Sequence, residues 1–192
     1  NTQDGEFTAA GGQALPAQFM HGTLQGTALM RETYQAAALE TQLGDLFFVL
    51  PQEGTTPESL LQDPSFLSSL TLSAGDAQEC QVEWSIPKFD VTGYLNLNDT
   101  LASMGLTDLL SPEKADLSGL TDQDAYLSSV RQTARVRVDE EGMEAAAATV
   151  LSLTQESALA EGETCVMNLN RPFLFVLRCQ GMPLLVGIVN NV

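Results

Sequence analysis

The sequence is poor in basic residues, with eight lysines and arginines against 25 aspartates and glutamates, so its net charge is −17. Such a surface repels nucleic acids and anionic membranes, and it attracts basic partners. A well-solvated acidic surface is the simpler interpretation of this charge. The composition therefore argues against binding to nucleic acid and identifies no particular partner.

Residues that carry catalytic and metal-binding chemistry are also scarce. His21 is the only histidine, and no nucleophile lies near it in a recognisable motif. A Ser/His/Asp or Cys/His mechanism would depend on this one residue. The three cysteines, Cys80, Cys165 and Cys179, fit no metal-binding or redox spacing and cannot all pair. The sequence therefore predicts no enzyme active site, no metal and no cofactor.

Long apolar runs are missing as well. No stretch approaches the roughly 18 apolar residues that a membrane-spanning helix needs, and the first residues contain no basic-then-apolar export signal. The chain has 192 residues, of which 44% are hydrophobic. This length and composition predict one packed globular domain without membrane contact.

Strand-like and helix-like stretches alternate along the chain, which predicts an α+β domain dominated by strands. Thr56 is placed to cap the first helix, which Pro64 divides in two. Gly105 ends the second helix. The predicted helices are 57–72 and 98–104. The predicted strands are two short ones within 5–26, then 33–41, 46–50, 80–91 bent at Pro87, 126–138, 172–177 and 183–189, the last two buried on both faces.

The segment 139–163 departs from this pattern, because it holds seven acidic residues, no basic one and four consecutive alanines at 145–148. Its composition favours a surface helix over 141–153. Read with a period of two, the same segment predicts a ribbon that could enter a sheet. The apolar face of that ribbon would carry Met143, Ala145, Ala147, Thr149, Leu151 and Leu153. The residues alone leave both interpretations open.

Residues 139–149 resemble the proximal hinge of the reactive-centre loop of inhibitory serpins, with two acidic-type residues, a glycine and a run of alanines before a threonine. Residues 167–177 resemble the C-terminal motif of the same family. Further similar stretches follow the family order at 47–51, 86–89, 115–119 and 181–187. The hinge implied by the resemblance consists of Glu140, Glu141, Gly142, Met143, Glu144, Ala145, Ala146, Ala147, Ala148 and Thr149.

The resemblance implies a serpin-like α+β fold of mostly antiparallel and mixed sheets, with a few short helices and a mobile reactive-centre loop at about 142–164. It also implies a suicide inhibitor, whose loop is cut by a serine protease and then inserts into the central sheet while the protease stays covalently trapped. A non-inhibitory serpin (carrier, chaperone or storage protein) and an inactive fragment are the alternatives. Small alanines at the hinge favour an inhibitor.

Counting from the hinge as the family does places the reactive bond between Glu156 and Ser157, which would suit a protease that prefers an acidic residue before the cut. The loop is about five residues longer than is usual in the family, so a cut after Thr154 or Ala158 is also open. The resemblance further pairs Lys88 with Glu140 in a salt bridge at the top of the sheet, where insertion begins.

The sequence departs from the family pattern at three places. Met143 stands where inhibitory members usually have threonine or serine, and Gln132 stands where many have a histidine. The N-terminal half of the fold would precede Asn1, so the chain is expected to be the C-terminal portion of one serpin domain and to need that half as a partner. Secretion is expected by resemblance alone. A disulfide between Cys80 and Cys165 is one option, because their strands are expected in the same small sheet.

Overall fold

The computed structural model describes residues 1–41, 44–69, 77–145 and 163–192. Short helices and strands alternate within these ranges, which confirms the predicted α+β class. The strands are β1 Thr2–Thr8, β2 Ala14–Met30, β3 Tyr34–Thr41, β4 Gly44–Pro51, β5 Gln78–Pro87, β6 Phe89–Asn96, β7 Arg131–Asp139, β8 Gly142–Ala145, β9 Thr164–Asn168, β10 Phe173–Cys179 and β11 Met182–Val189. The helices are α1 Pro57–Leu61, α2 Pro64–Ser69, α3 Asn98–Ser103 and a single 3-10 turn at Asp108–Leu110.

The larger sheet is mixed. Its described strands follow the order β11-β10-β4-β3-β2-β5-β9. The eighth described strand, β1, pairs with the first part of β2. The neighbours are antiparallel except for β5 and β9, which are parallel. The two strands predicted within 5–26 are present as β1 and β2, but β2 is not short: it continues to Met30 and, at 17 residues, is the longest described strand. The turn before it contains Gly12 with a φ of 80°, a backbone conformation that glycine adopts without strain.

The predicted strand over 80–91 is wrong, because the chain changes sheets at Pro87. β5 ends there, and β6 begins at Phe89 in a second sheet of order β6-β7-β8. Proline has no amide proton to continue the hydrogen bonding of a strand. The next amide, that of Lys88, donates to the carbonyl oxygen of Gln18 at 2.8 Å.

Two other predicted strands need correction. β7 begins at Arg131 rather than at residue 126, because the side chain of Asn98 bonds the preceding backbone: its Nδ2 donates to the Ser128 carbonyl at 3.0 Å and its Oδ1 accepts from the Val130 amide at 2.8 Å. β11 is not buried on both faces. Among the described strands it lies at one end of the larger sheet, and its large exposed side chains are Met182, Leu184 and Val186.

The described chain divides into two compact units. One unit comprises residues 1–90 and 137–192, and the other comprises residues 91–136. The first unit contains the larger sheet and a core rich in aromatic rings. In this unit Thr56 caps α1 as predicted, since its Oγ1 accepts from the amide of Ser59 at 3.2 Å, and Pro64 begins α2. No described helix is long and apolar enough to cross a membrane.

Candidate functional site

Lys88 is held between the end of β5 and the start of β6. Its backbone amide is bonded to Gln18, and its Nζ donates to Oε1 of the same Gln18 at 3.1 Å. The Nζ also lies 2.5 Å from Oε1 of Glu140. The Lys88 ammonium is therefore held by two groups, Gln18 on a strand of the larger sheet and Glu140 in the turn that follows β7.

Glu140 lies in the tight turn between β7 and β8. Gly142 has a φ of 124° and completes the turn, and the amide of Glu141 donates to Oδ1 of Asp139 at 2.9 Å. Oε1 of Glu140 accepts a second hydrogen bond, 2.9 Å long, from the hydroxyl of Thr2. The bond from Lys88, followed by a backbone bond and the bond from Thr2, lowers the pKa of Glu140 from 4.5 to about 2. The carboxylate thus stays ionised and bonded down to strongly acidic pH.

Of the predicted hinge residues, Glu140 and Glu141 lie in the turn and the next four are extended. Gly142–Ala145 forms β8, which is hydrogen-bonded to β7 in the second sheet. The predicted surface helix over 141–153 is therefore wrong for these four residues. The remaining hinge residues, Ala146, Ala147, Ala148 and Thr149, lie outside the described residues, and so do Glu156, Ser157 and the alternative cut positions Thr154 and Ala158.

An aromatic cluster fixes the backbone on which Lys88 stands. The ring of Phe89 meets that of Phe173 at 5.6 Å and that of Phe175 at 5.6 Å between centroids. Phe173 also contacts Phe48, with centroids 5.9 Å apart. Arg171, beside this cluster, donates from Nη2 to the carbonyl of Pro51 at 3.0 Å. Three stretches that were picked out by resemblance, 47–51, 86–89 and 167–177, thus converge on one core.

An apolar cleft lies beside Glu140. Val138 and Asp139 at the end of β7, and Glu140 in the turn that follows, line part of it. The strands of the larger sheet supply the other lining residues, which are Met20, Gly22, Leu24, Leu39, Leu46, Phe48, Trp84 and Ile86. Such a lining suits apolar side chains and offers few polar groups to a soluble ligand.

Two contacts of the site were missed by sequence reasoning. Thr2 bonds Glu140, and Gln18 bonds Lys88, across 138 and 70 positions of the chain. Neither residue belongs to a motif, and no local periodicity marks it. The ion pair between Lys88 and Glu140 was expected from the resemblance, and the structure places these two side chains in contact.

Comparison with known proteins gives consistent matches over the chain. The family model described as Serpin (serine protease inhibitor) matches residues 1–192. The chain is 30% identical to probable serpin E3 of Danio rerio, with 99% of the chain and 47% of that protein covered. It is 31% identical to serpin B6 of Macaca fascicularis, with 93% and 48% covered. The chain therefore spans about half the length of the curated relatives it matches.

Solved structures show the same architecture. The native thermophilic serpin tengpin matches with a TM-score of 0.80 and 25% identity, covering 100% of this chain and 50% of that one. A serpin from the trematode Schistosoma haematobium also matches with a TM-score of 0.80, at 23% identity, covering 99% and 51%.

Proposed function

The chain belongs to the serpin family, and we propose that it forms the loop-bearing part of a suicide inhibitor of a serine protease. The protease attacks the reactive bond as it would a substrate, so its serine becomes acylated and the peptide bond opens. The loop then inserts as a new strand and carries the acylated protease away before water completes the hydrolysis. The inhibitor supplies no catalytic group, because the energy comes from its own change of conformation.

The observation that carries the proposal is the strand conformation of β8. Residues 142–145 already pair with β7, directly after the turn at Glu140 that Lys88 holds. Extending β8 along β7 would continue this pairing into residues 146–149, where alanine loses no side-chain entropy on burial. Each added ladder hydrogen bond contributes roughly 1 kcal/mol, so a dozen provide a large driving force for insertion.

The proposed reactive bond joins Glu156 to Ser157. An acidic side chain before the cut selects a protease whose primary pocket carries positive charge. The net charge of −17 would speed the approach of such a basic enzyme at low salt. Mass spectrometry of the cleaved chain identifies the bond directly, and new termini after Thr154 or Ala158 would reassign it.

Complete insertion requires a strand on the far side of the inserted loop. Among the described strands, β8 is the last one of its sheet, and the relatives are about twice as long as this chain. We propose that a further part of the serpin fold supplies that strand, so inhibition is tested on the chain combined with its N-terminal serpin region. Secretion stays a prediction from the resemblance.

The test is incubation of the chain, combined with its N-terminal serpin region, with a panel of serine proteases, followed by denaturing gels. An inhibitor gives a complex that survives denaturation, a non-inhibitory relative gives clean cleavage, and an inactive fragment is degraded. Ala147→Arg should convert inhibition into clean cleavage, because a guanidinium would have to enter the sheet interior. Ala10→Arg, at an exposed turn, adds the same charge away from the hinge and should leave the complex intact. Clean cleavage of the unmodified protein by every protease would refute the proposal.

A further inference from the structure

Cys80 and Cys165 lie on neighbouring strands, as expected, but in the larger sheet and not in a small one. β5 and β9 are parallel, and Val82 stands directly opposite Cys165. Cys80 precedes Val82 by two positions, so it projects from the same face of the sheet. The two cysteines are therefore diagonal neighbours on one face.

The third cysteine is remote from this pair. Cys179 ends β10, and β4, β3 and β2 separate β10 from β5. At about 4.8 Å per strand, this separation amounts to roughly 19 Å. Cys80 and Cys165 can thus react with each other in the folded chain, whereas neither can reach Cys179.

The two thiols differ in exposure. Cys80 is buried, with 2% of its surface exposed, whereas Cys165 is half-buried. Burial, and then a hydrogen bond with the Cys165 thiol, raise the pKa of Cys80 to about 12. Cys165 is thus the thiol that solvent reaches.

We propose that Cys80 and Cys165 form a reversible disulfide bond that fastens β9 to β5 when a small-molecule disulfide is present. Both thiols are free in the structure. With about 4.8 Å between strands and about 3.3 Å per residue along them, diagonal neighbours have Cα atoms roughly 8 Å apart, and a disulfide requires roughly 4.4–6.8 Å. Closure therefore needs a small shift of β9, which is the last described strand at its end of the sheet.

The exchange proceeds in two balanced steps. The Cys165 thiolate attacks the small disulfide, forms a mixed disulfide and releases one thiolate. Cys80 then loses its proton and attacks the Cys165 sulfur, which forms the protein disulfide and releases the second thiolate. Two protein thiols are oxidised and one small disulfide is reduced to two thiols. Because Cys80 is buried and its pKa is raised, the mixed disulfide on Cys165 should accumulate first.

The cross-link would bridge the loop. Residues 146–162 lie between the two cysteines in the sequence, so a cut there leaves Cys80 on one fragment and Cys165 on the other. In the oxidised protein the fragments would stay joined, and in the reduced protein they would separate on a denaturing gel. This behaviour does not depend on whether the protein inhibits a protease.

The experiment treats the full chain with oxidised glutathione, blocks remaining thiols and digests with trypsin without reduction. Each cysteine then falls in its own peptide, 32–88, 138–178 or 179–192, since trypsin does not cut between Arg171 and Pro172. We expect 32–88 joined to 138–178, a linkage that dithiothreitol removes. Closing a loop of roughly 85 residues should also raise the melting temperature by about 5–15 °C.

Three variants serve as controls. Cys179→Ser should leave the linked peptide unchanged. Cys165→Ser, at a half-buried position, should abolish both the link and the rise in melting temperature, while Cys80→Ala should stop the reaction at the mixed disulfide. The proposal is overturned if oxidation yields only mixed disulfides in the unmodified chain, or if all three cysteine pairings appear in equal amounts.

Discussion

Gly187 of β11 lies directly opposite Phe175 of β10, and the ring of Phe175 covers it. A Cβ built on Gly187 would lie 2.2 Å from Cζ of Phe175, well inside van der Waals contact. Phe175 is 2% exposed and packs on Phe89, so its ring has little room to move. This glycine is therefore required by packing.

We expect Gly187→Ala to destabilise the fold by about 1–3 kcal/mol, the usual effect of overpacking a core. Urea unfolding followed by tryptophan fluorescence measures it. Gly22→Ala is the matched control, because Gly22 also lies in a strand and has nothing within 4 Å of the added carbon. Its free energy of unfolding should change little, and equal losses in both variants would contradict the packing argument.

The ion pair at Glu140 should make stability depend on acidic pH. The unfolded carboxyl titrates near 4.5 and the folded one near 2. Because the folded pKa is the lower one, the stabilisation is complete above pH 4.5, declines as pH falls and is lost below about 2. The melting temperature of the unmodified chain should exceed that of Glu140→Gln at neutral pH, and this difference should vanish near pH 2.

Glu141→Gln controls for the change in net charge at the adjacent position. The difference in melting temperature between Glu141→Gln and the unmodified chain should not decrease in the same way between pH 4.5 and 2. If the melting temperature of Glu140→Gln stayed below that of the unmodified chain by the same amount across this pH interval, the glutamine amide would be disturbing the turn by a cause other than loss of the ion pair.

Phe173 anchors the aromatic cluster, since it is fully buried and contacts the rings of Phe7, Phe48 and Phe89. Phe173→Ala should lower the free energy of unfolding by about 3–5 kcal/mol. Chemical denaturation gives the value. Met182→Ala on the adjacent strand, 65% exposed, should stay within about 0.5 kcal/mol of the unmodified chain. A loss below 1 kcal/mol for Phe173→Ala would mean that the cluster does not hold the strands together.

The N-cap of α1 gives a local test. Thr56→Ala removes the acceptor for the Ser59 amide and should cost about 1 kcal/mol. Thr56→Ser keeps that hydroxyl and should restore most of the loss. Differential scanning calorimetry on the three proteins compares them, and identical melting temperatures would exclude a contribution from the cap.

Local chemistry made some elements predictable. Thr56 and Pro64 mark their helices because capping and the missing proline amide act within one turn. The change of sheet at Pro87 was not predicted, because alternation continues across it and only the partner strands differ. The exposure of β11 was missed for a related reason, since an apolar sequence does not reveal which strand ends the sheet.

The candidate site likewise contains residues that the sequence could predict and residues that it could not. Lys88 and Glu140 were connected through the family resemblance, whereas periodicity alone could not pair them. Thr2 and Gln18 join them only because β1 and β2 pass beside the turn, which is a property of the folded sheet.

The length of β2 also bears on how the sheet finds its alignment. One continuous strand pairs with β1 at its start, with β5 in its middle and with β3 at its end. A slip of one residue would misalign all three partners together and turn buried side chains such as Phe19 and Leu29 toward water. The register of β2 therefore fixes the registers of β1, β3 and β5 together, and a shifted register loses the pairing and burial of all of them at once.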